Sequence, residues 1–193
     1  MPQAEKKSQN RKPARNAPSH KISLHARLAK VKLFLCDVDG VLTNGTVLIG
    51  DGKEYKSFSI QDGLGMLLLQ RHGIKVGWVS NRASPATRQR SEELKMDFLF
   101  QAKGSKVSAI ESILATAGVG WEEVCFMGDD VVDLGALKRA GVAVAVANAI
   151  AEVKAVAHYV TRAAGGQGAV REVVTLLLQS QNKWAQIIRE HSA

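Results

Sequence analysis

The stretch VKLFLCDVDGVLT, residues 31–43, decides the fold of this chain. Residues 33–37 are mostly apolar and end on a carboxylate, which is typical of a parallel strand that is buried on both faces. Asp39 follows two positions after Asp37, and Gly40 allows a sharp turn. Ligands of open α/β sheets bind at the carboxyl ends of such strands, and two acids close together there predict a cation or proton that offsets their repulsion.

Strand-like and helix-like segments alternate after this first strand. Further core strands are predicted over residues 75–80, 98–100, 124–127 and 142–146, and helices lie between them in the pattern of βαβ units. The sequence Gly50-Asp51-Gly52 predicts a β-hairpin with strands over residues 46–49 and 55–59. Asp62 is expected to cap a helix over residues 64–72. The fold class is therefore an α/β, three-layer, doubly wound parallel sheet with a small hairpin.

The positive charge of the chain lies in its N-terminal segment. The net charge is +8, and residues 1–32 hold nine Lys or Arg and one acid, so the rest is balanced. Residues 1–30 contain few large apolar side chains and are predicted to form a disordered tail, apart from a short helix over residues 22–29. The expected domain covers residues 31–181, and residues 182–193 are expected to form an exposed tail.

The two cysteines and the hydropathy pattern indicate the cellular location. Cys36 and Cys125 lie in apolar runs and are predicted to be buried free thiols, which favours a reducing compartment. No run of apolar residues is long enough for a membrane span, and no secretory signal is recognised. A cytoplasmic protein without a membrane partner is expected. Nucleic acid is not an expected partner either, although a basic tail can bind it.

Polar residues converge on the carboxyl edge of the predicted sheet. They are two acids after the first strand, a hydroxyl at the end of the second, a lysine after the third and two acids after the fourth, namely Asp37, Asp39, Ser80, Lys106, Asp129 and Asp130. Carboxylates are the ligands that Mg²⁺ prefers, and an aspartate can attack phosphorus to form an aspartyl-phosphate. This combination predicts a site for Mg²⁺ and a phosphoryl group.

The order of these motifs resembles a known superfamily. DVDGVLT, a strand that ends in Ser, a Lys and then GDDVVD together resemble the phosphatases of the haloacid dehalogenase (HAD) superfamily. The resemblance implies that Asp37 is the nucleophile and that Asp39 is the acid/base. It implies that Ser80 binds phosphoryl oxygens and that Lys106 offsets charge on the nucleophile and the phosphoryl group. Lys103 is the alternative candidate for this lysine.

The same resemblance implies a Mg²⁺ cofactor. Its ligands would be the Asp37 carboxylate, the Asp39 backbone carbonyl and Asp129. Asp130 and Asp133 would support these ligands from outside.

The spacing of the motifs leaves no room for a cap domain, because 36 residues separate Thr43 from Ser80 and 25 separate Ser80 from Lys106. The hairpin and the segments IQDGLGM, SNRAS and GGQGAVREVV resemble one capless branch, the tetrameric phosphatases of 3-deoxy-D-manno-octulosonate 8-phosphate (KDO 8-phosphate). That branch acts on a small sugar acid phosphate in lipopolysaccharide precursor synthesis. The resemblance implies a homotetramer in which a neighbour contributes to each site.

The resemblance also implies a set of residues that contact the substrate. These are Asp39 and Lys106 at the phosphoryl group, Arg82 and Arg90 for the carboxylate, and a stretch formed by Ser59, Ile60, Gln61, Asp62 and Gly63. Gln61 and Leu67 stand where relatives carry basic residues. Their neutral side chains leave open a second substrate, another 2-keto-3-deoxy sugar acid phosphate such as a nine-carbon one.

Two other classes of protein share part of this pattern. A non-catalytic phospho-receiver domain also gathers acids, a hydroxyl and a Lys around an aspartate, but there Asp39 would have no task. A nucleic-acid end phosphatase would use the basic tail and an open site. Turnover and deletion of residues 1–30 would separate these alternatives from a sugar acid phosphatase.

Overall fold

The structure is a computed structural model that describes residues 22–192. The prediction of a disordered tail over residues 1–30 falls mostly on residues outside this range. The strands in chain order are β1 (Leu33–Cys36), β2 (Leu48–Gly50), β3 (Lys53–Tyr55), β4 (Lys75–Ser80), β5 (Phe98–Gln101), β6 (Val124–Gly128), β7 (Val142–Ala145) and β8 (Tyr159–Val160). The helices are α1 (Leu24–Leu28), α2 (Ile60–Arg71), α3 (Pro85–Glu93), α4 (Lys106–Ala117), α5 (Leu134–Leu137), α6 (Ala151–Val156), α7 (Ala169–Ser180) and α8 (Trp184–Glu190).

Six of the strands form one parallel sheet in the order β5-β4-β1-β6-β7-β8. β1 lies at the centre between β4 and β6, and all four of its side chains are buried. The strand is apolar throughout because neither of its faces meets water. β2 and β3 pair antiparallel in a separate hairpin. The carboxyl ends of β1, β4 and β6 therefore lie next to one another.

Helices pack in two groups around this sheet. α7 packs against α1, α2 and α8, whereas α5 packs against α4 and α6. The apolar core runs through both layers and includes the largest buried side chain, Trp78 of β4. This architecture confirms the predicted three-layer, doubly wound α/β fold with a hairpin. Cys36 and Cys125 are buried and free, as predicted.

Several element boundaries differ from the sequence prediction. α2 begins at Ile60 rather than at residue 64, because Ser59 and not Asp62 is its N-cap and accepts a hydrogen bond from the Asp62 amide. The hairpin strands are shorter than predicted and lie closer to the turn at Gly52. Between β6 and β7, where the alternating pattern predicts a helix, the structure has a 3₁₀ turn at Val131–Asp133 followed by the four-residue α5.

The tail predicted after residue 181 is exposed at most of its side chains, but it contains a helix. Residues 184–190 form α8, whose Ile187 side chain is buried and which packs on α7. Within residues 22–192 the structure has no helix with the length and apolar character that a membrane span requires.

Candidate active site

The first predicted acid lies at the end of the central strand. The Asp37 amide donates to the Met127 carbonyl and so extends the pairing of β1 with β6, and its carboxylate accepts from the Val38 amide at 2.6 Å. Gly40 then turns the chain with φ +92°, and a Cβ at this position would overlap the Asp129 carboxylate. The glycine is therefore required both for the turn and for the close approach of the two acidic loops.

Lys106, the first residue of α4, connects two of the acids. Its Nζ lies 2.8 Å from Asp37 Oδ2 and 2.6 Å from Asp133 Oδ1, and its side chain is 1% exposed. Burial alone lowers the pKa of Lys106, but the two carboxylates outweigh burial and the pKa is raised overall. Lys103, the alternative candidate, has an exposed side chain. The structure thus brings Lys106, and not Lys103, to the acids.

Asp37, Asp129 and Asp133 form a cluster that could hold a metal ion. One carboxylate oxygen from each lies within 4.8 Å of the others. Asp133 is engaged by protein groups, because its Oδ1 binds Lys106 and its Oδ2 accepts from the amides of Asp129 and Asp130. Asp129 Oδ1 is buried and has no hydrogen-bond partner within the described structure. The residues present therefore fit a hard cation such as Mg²⁺, with the unpartnered Asp129 oxygen available to bind it, Asp37 beside it and Asp133 supporting the loop.

The raised pKa values of two of these acids also fit a cation site. Burial raises the pKa of Asp129 to about 7, and the negative charges of Asp133 and Asp37 add to this shift. Burial also raises the pKa of Asp37 to about 6, although the Lys106 cation opposes this shift. A bound divalent cation would favour the ionised form of both groups. Asp130, by contrast, is exposed and caps the amide of Val131.

Asp39 contacts a residue that the sequence prediction missed. Its Oδ1 lies 2.6 Å from Lys56 Nζ, and its Oδ2 is buried without a hydrogen-bond partner among the described residues. Lys56 follows β3 of the hairpin, and its side chain is 1% exposed. Nothing in the local sequence marks this lysine, because the contact depends on how the hairpin folds back over the β1 loop. The surrounding EYKSF segment carries no motif of its own.

Ser80 lies at the carboxyl end of β4 and is buried. Its Oγ accepts from the Arg82 amide and donates to the Arg82 carbonyl, both at 3.1 Å, which closes a tight turn at the site. The Arg82 guanidinium is partly exposed and binds Glu54 of β3. Glu54 was also missed by the sequence prediction. Burial raises its pKa, but the hydrogen bond from Arg82 and the charges of Arg82 and Lys56 outweigh burial, so its pKa is lowered overall.

The residues of the stretch predicted to contact the substrate, 59–63, lie in different environments. Ile60 and Gln61 are exposed, and Ser59 caps α2. Asp62 is 1% exposed, and its Oδ1 accepts from the Arg171 amide at 2.7 Å, so it holds the start of α7 against α2. The structure therefore does not support the predicted substrate contact of Asp62, because its carboxylate is turned into the protein.

Arg90 lies on α3, beside Gly63 and a cleft. Its Nη1 binds Glu93 at 2.8 Å, and a Cβ on Gly63 would lie 2.7 Å from its Nη2. A cleft of about 770 Å³ opens here between the hairpin and α3. Gly63 thus leaves space for the arginine, and the arginine faces the cleft.

The GGQG segment, residues 165–168, packs on the loop that follows β1. A Cβ on Gly165 would overlap the Gly40 carbonyl, and the Gly165 amide donates to Asn148 Oδ1 at 2.8 Å. The Gly166 amide donates to the Val41 carbonyl at 2.9 Å. These glycines let the loop before α7 lie directly against the turn that carries Asp39.

Comparison with known proteins finds similar phosphatases. A family described as haloacid dehalogenase-like hydrolase matches residues 80–173, which contain Ser80, Lys106, Asp129 and Asp133. The 3-deoxy-D-manno-octulosonate 8-phosphate phosphatase of Yersinia pestis is 39% identical over 158 residues, which cover 81% of this chain and 84% of that protein.

Solved structures of the same kind are similar as well. The phosphatase of Moraxella catarrhalis, solved in complex with a magnesium ion, a phosphate ion and a KDO molecule, superposes with a TM-score of 0.84 at 34% identity and covers 86% of this chain and 97% of its own. The cobalt-bound enzyme of Haemophilus influenzae has a TM-score of 0.80 at 38% identity, with coverage of 82% and 94%. These matches confirm the resemblance that the sequence motifs indicated.

Proposed function

Since the chain belongs to the haloacid dehalogenase-like hydrolases, in the family of the KDO 8-phosphate phosphatases, we propose that it hydrolyses KDO 8-phosphate to KDO and inorganic phosphate. The observation that carries this proposal is the buried contact of Asp37 Oδ2 with Lys106 Nζ, 2.8 Å apart, next to an Asp129 oxygen without a partner. This arrangement suits a nucleophilic carboxylate held beside a cation site.

In the first step the Asp37 carboxylate attacks phosphorus. The bond from phosphorus to the sugar oxygen breaks, and Asp39 gives its proton to the departing oxygen. Lys106 holds Asp37 in place and offsets negative charge that builds up at the phosphoryl group. Ser80, whose turn lies at the same edge, is proposed to hydrogen-bond a phosphoryl oxygen.

In the second step water hydrolyses the aspartyl-phosphate. Asp39, now ionised, takes a proton from the water as its oxygen bonds to phosphorus. The bond between phosphorus and Asp37 breaks, and the enzyme returns to its starting state. The same carboxylate thus serves as acid and then as base.

Mg²⁺ is the cofactor, and the residues proposed to hold it are the Asp37 carboxylate, the Asp39 backbone carbonyl and Asp129. When bound, it offsets the repulsion between the nucleophile and the phosphoryl oxygens. Asp133 keeps Asp129 oriented through its backbone amide. Asp130 is proposed to support this loop as the cap of the 3₁₀ turn.

The sugar acid is proposed to be read at the cleft beside the hairpin. Arg90 lines the cleft, Arg82 binds Glu54 of the cleft wall, and an arginine fork suits a carboxylate. The Arg82 guanidinium is bound to Glu54 through Nη2, and its other N–H groups are proposed to meet the substrate carboxylate. Ser59, Ile60, Gln61 and Gly63 at the start of α2 remain proposed contacts.

The test is phosphate release with Mg²⁺ from KDO 8-phosphate, other sugar phosphates including a nine-carbon 2-keto-3-deoxy acid phosphate, and 5′-phosphorylated oligonucleotides. We expect strong preference for KDO 8-phosphate and no turnover by Asp37→Asn. Full turnover by Asp37→Asn would contradict the nucleophile assignment. Preference for another substrate would keep the phosphatase and overturn the sugar. Release limited to one phosphate per chain would favour the receiver domain.

A homotetramer is proposed from the surface of the hairpin. Its exposed large apolar side chains, together with two at the start of α2, are Val47, Leu48, Ile49, Tyr55, Ile60 and Leu64. Clustered apolar surface of this kind is characteristic of protein interfaces. Light scattering of the wild type should give four chains per particle, and Ile49→Asp should give fewer. A monomeric wild type would contradict the assembly. We also propose that the protein is cytoplasmic and that it acts in lipopolysaccharide precursor synthesis.

A further inference from the structure

Lys56 is a buried cation with one close carboxylate partner. Its side chain is 1% exposed, its Nζ lies 2.6 Å from Asp39 Oδ1, and Glu54 Oε1 is farther away at 3.7 Å. Lysine is almost never fully buried unless it is paired. The long side chain of Lys56 is therefore fixed by the hairpin on one side and by Asp39 on the other.

The two carboxylate oxygens of Asp39 have different environments. Oδ1 accepts the hydrogen bond from Lys56, whereas Oδ2 is buried and has no partner within residues 22–192. Because a carboxylate has one side-chain torsion beyond Cβ, holding Oδ1 also sets the direction of Oδ2. The free oxygen is thus presented in a single orientation.

A second ion pair, between Glu54 and Arg82, holds the hairpin strand that precedes Lys56. Glu54, two residues earlier on β3, binds the Arg82 guanidinium at the carboxyl end of β4. The backbone of the hairpin is therefore tied to the sheet edge at Arg82 and to the β1 loop at Asp39. Lys56 directly follows this strand, so it is held more rigidly than a lysine on a free loop would be.

We propose that Lys56 is a positioning residue that holds Asp39 Oδ1, so that Oδ2 exchanges the proton with the substrate. The inference rests on the proposed function. In phosphorylation of Asp37, the phosphorus–oxygen electron pair stays on the sugar oxygen, which takes the proton from Oδ2. In hydrolysis, Oδ2 takes a proton from water as the water oxygen bonds to phosphorus and the Asp37 bond breaks. Lys56 itself keeps all of its protons throughout.

The leaving group of the substrate distinguishes this role from simple support of the hairpin. A sugar oxygen must be protonated as it leaves, whereas p-nitrophenolate leaves as an anion without help. A variant that misorients Asp39 should therefore lose the first step on KDO 8-phosphate but keep it on p-nitrophenyl phosphate. A hairpin that merely becomes loose would weaken the binding of KDO 8-phosphate and raise its KM, but it would leave the rate of phosphorylation at saturating substrate unchanged.

The experiment compares Lys56→Met with Lys138→Met, which changes an exposed lysine at the end of α5 that does not line the cleft. Phosphorylation of the Mg²⁺-loaded enzyme is measured in the first turnover with both substrates at saturating concentration. For Lys56→Met we expect a loss of about 100-fold on KDO 8-phosphate, the lower range for general acid catalysis, and about threefold or less on p-nitrophenyl phosphate. We also expect a burst of p-nitrophenolate, because hydrolysis of the aspartyl-phosphate needs the same carboxylate. Lys138→Met should behave as wild type.

Two further variants keep the outcome decisive. Lys56→Arg keeps a cationic donor and should recover part of the loss. Lys56→Met in an Asp39→Asn background should add no further loss, since the residue acts only through Asp39. Equal losses on both substrates, or additive losses in the double variant, would overturn the inference. A wild type that releases no phosphate from any monoester would instead contradict the proposed function.

Discussion

Lys106 Nζ lies 2.8 Å from Asp37 Oδ2 at the centre of the candidate site, and both side chains are buried. We predict that Lys106→Met abolishes most activity, by about 100-fold or more, because transition-state charge loses a preorganised cation. The variant should also lose about 3–5 kcal/mol of unfolding free energy, because Asp37 and Asp133 would then face each other without a counter-charge. Phosphate release with Mg²⁺ measures the first effect, and urea unfolding in EDTA measures the second.

Lys103→Met is the matched control for this change. Lys103 precedes α4 and is exposed, so its loss should change stability by less than about 0.5 kcal/mol and leave turnover within about twofold. If Lys103→Met and not Lys106→Met removed activity, the lysine assignment would be reversed.

The stability of the metal-free protein should depend on pH in a defined direction. The pKa of Asp129 is about 7 and that of Asp37 about 6 in the folded state, both above the ordinary value. The folded state therefore binds more protons than the unfolded state between about pH 4 and 7, and the stability from these groups is lost as pH rises through their folded pKa values. Urea unfolding in EDTA should show a loss of about 1–3 kcal/mol from about pH 5 to 8.

Mg²⁺ should reverse this trend, because it competes with the protons. Its affinity, measured by calorimetry, should fall at least about tenfold from pH 8 to 6. Asp129→Asn is the control: it should be more stable than wild type in EDTA at pH 8, and Mg²⁺ should not stabilise it further. Stability in EDTA that rises from pH 5 to 8 in the wild type would contradict the raised pKa values.

Gly165→Ala should reduce activity although Gly165 has no side chain to contribute. The added Cβ would overlap the Gly40 carbonyl, so the turn that carries Asp39 must move. Overpacking of this kind costs about 1–3 kcal/mol, and displacement of the acid/base should lower turnover about tenfold or more. Gly50→Ala is the control, because the nearest atom to its added Cβ is a Tyr55 carbon at an ordinary 3.7 Å. Equal activity of the two variants would show that the loop contact is unimportant.

The part of the site that the sequence predicts is the part fixed by the sheet. Asp37, Ser80 and Asp129 could be placed together because parallel strands end at the same edge, whatever the loops do. Lys56 could not be predicted, since its contact with Asp39 depends on the direction in which the hairpin folds. Its role needs a tertiary contact across 17 residues of chain.

For Asp62, in contrast, the sequence indicated roles that differ from the contact seen in the structure. Its position before a glycine and a helical pattern indicated an N-cap, and the resemblance indicated a substrate contact. In the structure Ser59 caps α2 instead, and the Asp62 carboxylate caps the backbone of α7, more than a hundred residues later. A short polar side chain can serve any nearby backbone amide, so local sequence does not determine which one it binds.

The C-terminal helix should contribute to stability, contrary to the exposed tail that the sequence indicates. Ile187 of α8 is 3% exposed and belongs to the core, whereas its neighbour Ile188 is 50% exposed. The Arg171 guanidinium lies 5.4 Å from the centre of the Trp184 ring, and Lys183 Nζ donates to the His72 carbonyl at 2.8 Å, so α8 is also held at its start.

We therefore predict that Ile187→Ala lowers the unfolding free energy by about 2–4 kcal/mol, because it leaves a cavity between α7 and α8. Ile188→Ala should change it by less than about 0.5 kcal/mol, because that side chain already meets water. Urea unfolding of both variants measures the difference, and phosphate release at low temperature should be near wild type for both, since α8 carries none of the candidate catalytic residues. If the two variants were equally stable, residues 184–190 would not be packed on the domain, and the expectation of an exposed tail would be restored.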